Sequence, residues 1–218
     1  MTEPGEKPDS GSPSPSGRII HTDRLSARER YQLLTTLIVP RPIGWISTHS
    51  RGGIPNLAPY SFFAALSASP PLVAVSIGSR GGAPKDTLEN IRQVGSFCVN
   101  VVSEDLLEHM NASSAEVPPE TDEFHLAGVT AMAGQVVDAP WVAEAPATLE
   151  CVLFKEVNLG EAPNTLVIGE VKAVRLAPGL NVLPDSWSVD PTSLRPVGRL
   201  GGEEYALPGE VRKLARPR

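Results

Sequence analysis

This 218-residue chain predicts a mainly β (α+β) fold, a β-barrel decorated with a few short helices. Three observations carry that expectation. Short apolar, β-favouring runs recur along the chain, with turn residues at the joints. The chain holds 19 Gly and 22 Pro, a supply that suits many turns and short strands better than long helices. Strands and helices do not alternate regularly, as a doubly wound sheet would require, and no internal repeat is visible. The dinucleotide fingerprint G-x-G-x-x-G is absent as well, since Gly78-Ser79-Arg80-Gly81-Gly82 has the wrong spacing.

Residues 1–17 are rich in Pro, Ser and Gly and bury too little apolar surface to offset ordering entropy, so a disordered tail is expected there. The domain proper is read as 18–210. The first helix is expected over Arg24–Leu37, running through Tyr31, Leu34 and Leu37. Pro42–Thr48 reads as a strand, Ser50-Arg51-Gly52-Gly53 as a turn, and Ile54–Pro59 as the returning strand of a hairpin or bulged pair. Leu72–Gly78 is a continuous β-rich run of the kind buried on both faces, and Phe97–Val102 is another. Between them Asp86-Thr87-Leu88-Glu89 has the form of a capping box; Leu88, Ile91 and Val94 then share a helix face that Gly95 ends. Ser103 is placed to start a short helix carrying Leu106, Leu107 and Met110, and 112–127 reads as a loop. Thr148–Val157 and Thr165–Leu176 are two longer strands, joined by a turn over Asn158–Asn164. Residues 211–218, with Arg212, Lys213, Arg216 and Arg218, form a basic, solvated tail.

The bulk properties exclude several functions. A net charge of −6 gives no general attraction to nucleic acid. No apolar run approaches the ~18 residues of a membrane span, and MTEPGEKPDSGSPSPSG lacks an apolar signal core, so a cytoplasmic protein is expected. Cys98 and Cys151 lie in apolar runs and read as buried thiols rather than a disulfide framework or nucleophiles. His21, His49, His109 and His125 are scattered without metal-ligand spacing, so no metal site is expected. Nor is there an acid pair or a His-activated nucleophile; no catalytic residue is assigned.

Arg41–Thr87 instead concentrates hydroxyls, amides and cations between short apolar runs. Ser61 follows an extended segment, Arg80 sits on a glycine-rich loop, and Lys85 and Thr87 open a helix whose N-terminal amides favour an anion. Together they suit a phosphate. Ser47, Thr48 and Asn56 offer polar edges for a flat ring, and Trp45 either stacks on it or packs in the core.

The runs RPIGWIST, NLAPYSFFAALS, PPLVAVSI, KDTLENIR and GSFCVNV, with the later pieces EFHLAGV, LVIGEV and RLGGEEY, resemble the flavin reductase-like, FMN-binding split-barrel family over roughly residues 25–206. The resemblance implies non-covalent FMN in a split barrel and a homodimer with flavin near the interface. It implies hydride delivery from NADH or NADPH and onward transfer to free flavin, oxygen or another acceptor. By position, Trp45, Ile46, Ser47 and Thr48 would line the isoalloxazine. Asn56, Leu57 and Ala58 would contact the ring edge and ribityl chain, and Ser61, Arg80, Lys85 and Thr87 would hold the phosphate. Tyr205, in the segment 199–205, would belong to a cap. Two positions depart from the family: Ala64 stands where Asn is common, and Arg175 where many members have His. Three readings stay open: a flavin reductase-type oxidoreductase, a flavin-binding electron carrier or sensor without NAD(P)H oxidase activity, and a non-enzymatic barrel.

Overall fold

The computed structural model describes residues 17–160, 164–184 and 186–217; nearly all of the expected disordered tail lies outside them. Helix α1 spans Ala27–Leu37. The Ser26 hydroxyl accepts from the Glu29 N–H at 3.3 Å while the Glu29 carboxylate accepts from the Ser26 N–H at 2.8 Å. This reciprocal box starts the helix after Ser26 rather than at Arg24. The apolar residues along α1 face outward: Tyr31 is 58% exposed, Leu34 51% and Leu37 70%.

Strand β1 (Arg41–Pro42) leads into β2 (Gly44–His49), which turns through Gly53 at φ 81° into β3 (Pro55–Tyr60). The expected hairpin forms, with Trp45 opposite Pro59 and Thr48 opposite Asn56. Next comes β4 (Phe63–Ala68), which the sequence reading did not assign. Its Ala-Ala-Leu-Ser-Ala composition carries no strand preference, and pairing with β5 (Pro71–Ile77) makes it one. Gly81 and Gly82, at φ 55° and 86°, close a ribbon of β6 (Ser79–Arg80) and β7 (Ala83–Pro84).

Helix α2 runs Asp86–Val94 and stops at Gly95, left-handed at φ 81°. Its N-cap is Lys85, without a side-chain cap, so the expected Asp86–Glu89 box does not form; Asp86 is already inside the helix. Strand β8 (Ser96–Val101) follows. A 3-10 turn at Glu104–Leu106 then feeds α3 (Leu107–Ala112), and Ser103 makes no side-chain cap. Residues 112–127 are not all loop. Asp122 Oδ1 accepts from the N–H groups of Phe124 and His125 and starts α4 (Glu123–Ala127), which ends at Gly128, φ 67°.

Strands β9 (Ala131–Ala133) and β10 (Pro140–Val142) form a small hairpin. The long strands β11 (Ala147–Leu159) and β12 (Asn164–Leu176) pair antiparallel. Asn158 sits opposite Thr165, so strand replaces the expected turn at both edges of the connection, and 161–163 lie outside the described residues. Helix α5 (Pro191–Leu194) precedes β13 (Gly198–Arg199) and β14 (Tyr205–Ala206), which extend β1 into a three-stranded sheet.

Seven antiparallel strands, in the order β3-β2-β8-β11-β12-β5-β4, make the main sheet. Both of its faces are covered near β2. Trp45 and Leu57 join one apolar cluster with Val102, Met110 and Phe124. Ile46 joins the other, with Val75, Leu88, Ile91 and Phe97. Burying each such side chain is worth about 1.5–3 kcal/mol. Cys98 and Cys151 are free and fully buried, as expected. Among the described residues no helix is long and apolar enough to cross a membrane.

Candidate functional site

Two adjoining polar clefts share Pro59 and Ser114 as walls. The narrower, about 150 Å³, is lined by Asn56, Ala58, Arg80, Lys85 and Thr87 of the expected set. Its end is the N-terminus of α2. There the Leu88 and Glu89 amides both return to the Lys85 carbonyl, at 2.9 and 3.1 Å, leaving the Asp86 and Thr87 amides at the helix mouth. The Lys85 ammonium lies 5.6 Å from the centre of the Tyr60 ring. Arg80 donates to the Val117 carbonyl at 3.3 Å and sits 3.8 Å from the exposed Glu116 carboxylate. Arg80, Lys85 and the helix dipole thus face one end of the cleft, where Asp86 also lines the wall.

Behind the cleft lies a buried hydrogen-bond network. Tyr60 O–H donates to Thr87 Oγ1 at 3.0 Å, and Thr87 donates to Asn56 Oδ1 at 2.8 Å. Thr48 donates to the same Asn56 oxygen at 3.2 Å and accepts from Asn90 Nδ2 at 3.1 Å. Asn56 Nδ2 donates to Glu123 at 2.9 Å, and the Glu123 carboxylate also accepts the Leu57 N–H at 3.3 Å. Burial pushes the Glu123 carboxyl pKa up, against the pull of these donors. Burial likewise drives the Tyr60 phenol to about 12, so it stays a protonated donor at neutral pH. Thr87 spends its single hydroxyl proton on Asn56. Its contribution to an anion is thus the backbone amide, and its side chain holds Asn56 still.

The second cleft, about 240 Å³, is lined by Tyr31, Pro59, Ser61, Asn111, Arg199 and Tyr205, among others. Ser61 therefore faces a different cleft from Arg80, Lys85 and Thr87 and accepts from Arg41 Nε at 3.4 Å. Arg199 packs its guanidinium 4.5 Å from the Tyr205 ring centre and donates to the Tyr205 hydroxyl, which donates in turn to Asn111 Oδ1 at 3.2 Å. The segment 199–205 thus closes one side of this cleft.

Five expected ring-contacting residues are in the interior and line neither cleft. Trp45, Ile46, Ser47 and Leu57 are fully buried, and Thr48 is 1% exposed. Trp45 Nε1 donates to Ser113 Oγ at 2.9 Å, and Ser47 donates to the Pro140 carbonyl at 2.6 Å. Of Trp45's two sequence readings, packing is the one realised. The departures line neither cleft: Ala64 lines an apolar groove that shares Ser61 with the second cleft, and Arg175 stacks 3.7 Å over the Trp141 ring with its Nη1 unpartnered among the described residues. Sequence reasoning missed Glu123, Asn111, Ser114 and Tyr31. They come from α4, α3, the loop after α3, and α1, and no local motif joins them.

A family model for the flavin reductase like domain matches residues 36–185. An uncharacterized protein of Halalkalibacterium halodurans is 39% identical over 203 residues, spanning 91% of this chain and 96% of that one. Among solved structures, nitrilotriacetate monooxygenase component B from Bacillus cereus superposes with a TM-score of 0.87 at 33% identity, covering 92% of this chain and all of that one. The 2-nitrobenzoate 2-nitroreductase NbaA of Pseudomonas fluorescens does so with a TM-score of 0.83 at 28% identity, covering 92% and 96%. With its mainly antiparallel split barrel and its paired polar clefts, the chain belongs to the flavin reductase-like family.

Proposed function

We propose that the chain binds FMN across the paired clefts and acts as an oxidoreductase that accepts reducing equivalents from NADH or NADPH. The observation that carries this reading is the end of the narrower cleft where Lys85, Arg80 and the first amides of α2, unpartnered among the described residues, stand together. That donor set fits a terminal phosphate dianion: an ammonium, a guanidinium fork and a helix N-terminus are its usual ligands. The ring would occupy the larger cleft between Pro59, Ser61 and Tyr205, with the ribityl chain passing Ser114.

When bound, FMN supplies the redox chemistry, exchanging an electron pair between a dihydronicotinamide and an acceptor. The protein's own residues position and shield. Lys85 and Arg80 neutralise the phosphate. Asn56, fixed by Thr48, Thr87 and Glu123, presents a rigid wall beside the ribityl path. Tyr205 and Arg199 cover the ring cleft and limit water. The outward apolar stripe of α1, with Ile38, Phe62 and Leu66, supports a homodimer, because a patch of this kind on a monomer marks a contact surface.

The test is direct. The purified protein should bind FMN more tightly than FAD or riboflavin, and anaerobic NADH or NADPH should bleach the bound flavin. Failure to bind flavin would end this reading. Tight FMN binding without bleaching by either nicotinamide would move the assignment to an electron carrier fed by another protein.

A further inference from the structure

Beyond Tyr31 and Arg199, on the side away from the ring cleft, lies a separate hollow of about 360 Å³. Arg28, Arg41 and Arg199 line it, with Gln32 and Thr36. None of the ion pairs among the described residues involves these three arginines. Arg41 is only 6% exposed. It donates to the carbonyls of Thr35, Ile38 and Leu200 at 2.5, 3.1 and 2.8 Å and to Ser61 at 3.4 Å, but to no carboxylate. Arg199 gives its protons to the Tyr205 hydroxyl and the Gly202 carbonyl, which carry no charge. Burial lowers the Arg41 pKa, and Arg199 presses in the same direction.

Arg28 adds an independent sign. It sits in the first turn of α1, where the helix dipole disfavours a cation. Arg28 makes no hydrogen bond or ion pair among the described residues, so its guanidinium fork is open to an anion, while Arg41 and Arg199, engaged with uncharged oxygens, lend positive charge to the same hollow in a chain of net charge −6. Guanidinium forks in a hollow of this size match phosphate oxygens well. Because the hollow and the ring cleft share Tyr31 and Arg199 as walls, one extended ligand can occupy both.

We propose that this arginine hollow receives the phosphates of the nicotinamide dinucleotide, while its nicotinamide ring reaches the ring cleft past Tyr31 and Arg199. The proposal rests on the flavin oxidoreductase reading above. It assigns Arg28, which touches neither flavin cleft, to the donor alone.

The experiment uses the full chain loaded with FMN. Calorimetric titration with ADP-ribose, which carries the phosphates without the nicotinamide ring, should show binding that Arg28→Ala weakens by roughly tenfold and Arg28→Lys by less. Because Arg28 is exposed, its replacement should leave the melting temperature unmoved. In turnover, Arg28→Ala should raise KM for the dinucleotide with kcat unchanged. With N-benzyl-dihydronicotinamide, a donor lacking phosphates, the variant and the unaltered protein should match. No ADP-ribose binding, or equal affinity in Arg28→Ala, overturns the proposal. Failure of both NADH and NADPH to bleach the flavin overturns the oxidoreductase reading instead, and the ADP-ribose titration then judges the hollow on its own.

Discussion

Lys85 should matter more than Arg80 for holding a flavin phosphate, although arginine is the stronger phosphate clamp in isolation. The reason lies in what each side chain gives up. Lys85 is half-buried beside the Tyr60 ring and belongs to no ion pair among the described residues. Lys85→Ala therefore removes a charge-assisted contact with little to offset it, about 1.5–3 kcal/mol, or roughly ten- to a hundredfold in FMN affinity. Arg80 is exposed and already occupied. To reach a phosphate it releases the Val117 carbonyl, worth about 0.5–1.5 kcal/mol, and loosens an exposed pairing with Glu116 worth about 0–1 kcal/mol. Arg80→Ala should then cost only about 0.5–1.5 kcal/mol of binding, a few-fold, and that cost should shrink further as salt screens the exposed charge. The assay is quenching of flavin fluorescence on titration with each variant, run in parallel with FMN and with riboflavin at low and high salt. Both variants should leave riboflavin affinity unchanged. If riboflavin weakens as much as FMN, the cationic end of the cleft does not hold the phosphate. If Arg80→Ala exceeds Lys85→Ala, the contacts Arg80 makes to Val117 and Glu116 do not weaken its grip on the phosphate, and the predicted order is refuted.

Three further outcomes are expected. A Cβ at Gly169 would lie 2.8 Å from Phe97 Cε1 and closer still to Cζ, so Gly169→Ala should cost about 1–3 kcal/mol in urea unfolding; an unchanged midpoint would mean that the ring can move aside. Burial raises both thiols, Cys151 to about 12 and Cys98 further, so neither should react with a thiol reagent in the native protein, and labelling should track global unfolding. Burial lowers the His49 pKa, but the Ser50 carbonyl at 2.8 Å and Asp138 at 3.0 Å outweigh it and leave the pKa raised. The stability this supplies is fully present below the unfolded value of about 6.5 and is lost as pH rises through the higher native value; His49→Gln should flatten that fall in unfolding curves collected across the range, and an identical pH slope would refute it.

Much of the architecture was legible because its signals are local. Continuous β-rich runs marked β5 and β8, two longer apolar-rich segments marked β11 and β12, the glycine-rich turn marked the β2–β3 hairpin, and Gly95 marked the end of α2. The short helix α4 was missed although Asp122 and Gly128 bracket it, because the flanking Pro-rich stretch reads as loop. Strand β4 carried no signal of its own, since a sheet edge can recruit residues without strand preference.

What the residues determine by themselves is the mainly β class, the family pattern, and a helix N-terminus flanked by Arg80 and Lys85. Only the folded chain decides which face each side chain meets. Trp45, Ser47 and Thr48 offer a ring and hydroxyls to a ligand when read along the chain, yet β2 lies between β3 and β8 with apolar clusters on both sides, so these side chains are spent on the interior. Tyr31, Asn111 and Arg199 come together only because α1, α3 and the β13–β14 hairpin end at one cleft, a closeness that spacing along the chain does not encode.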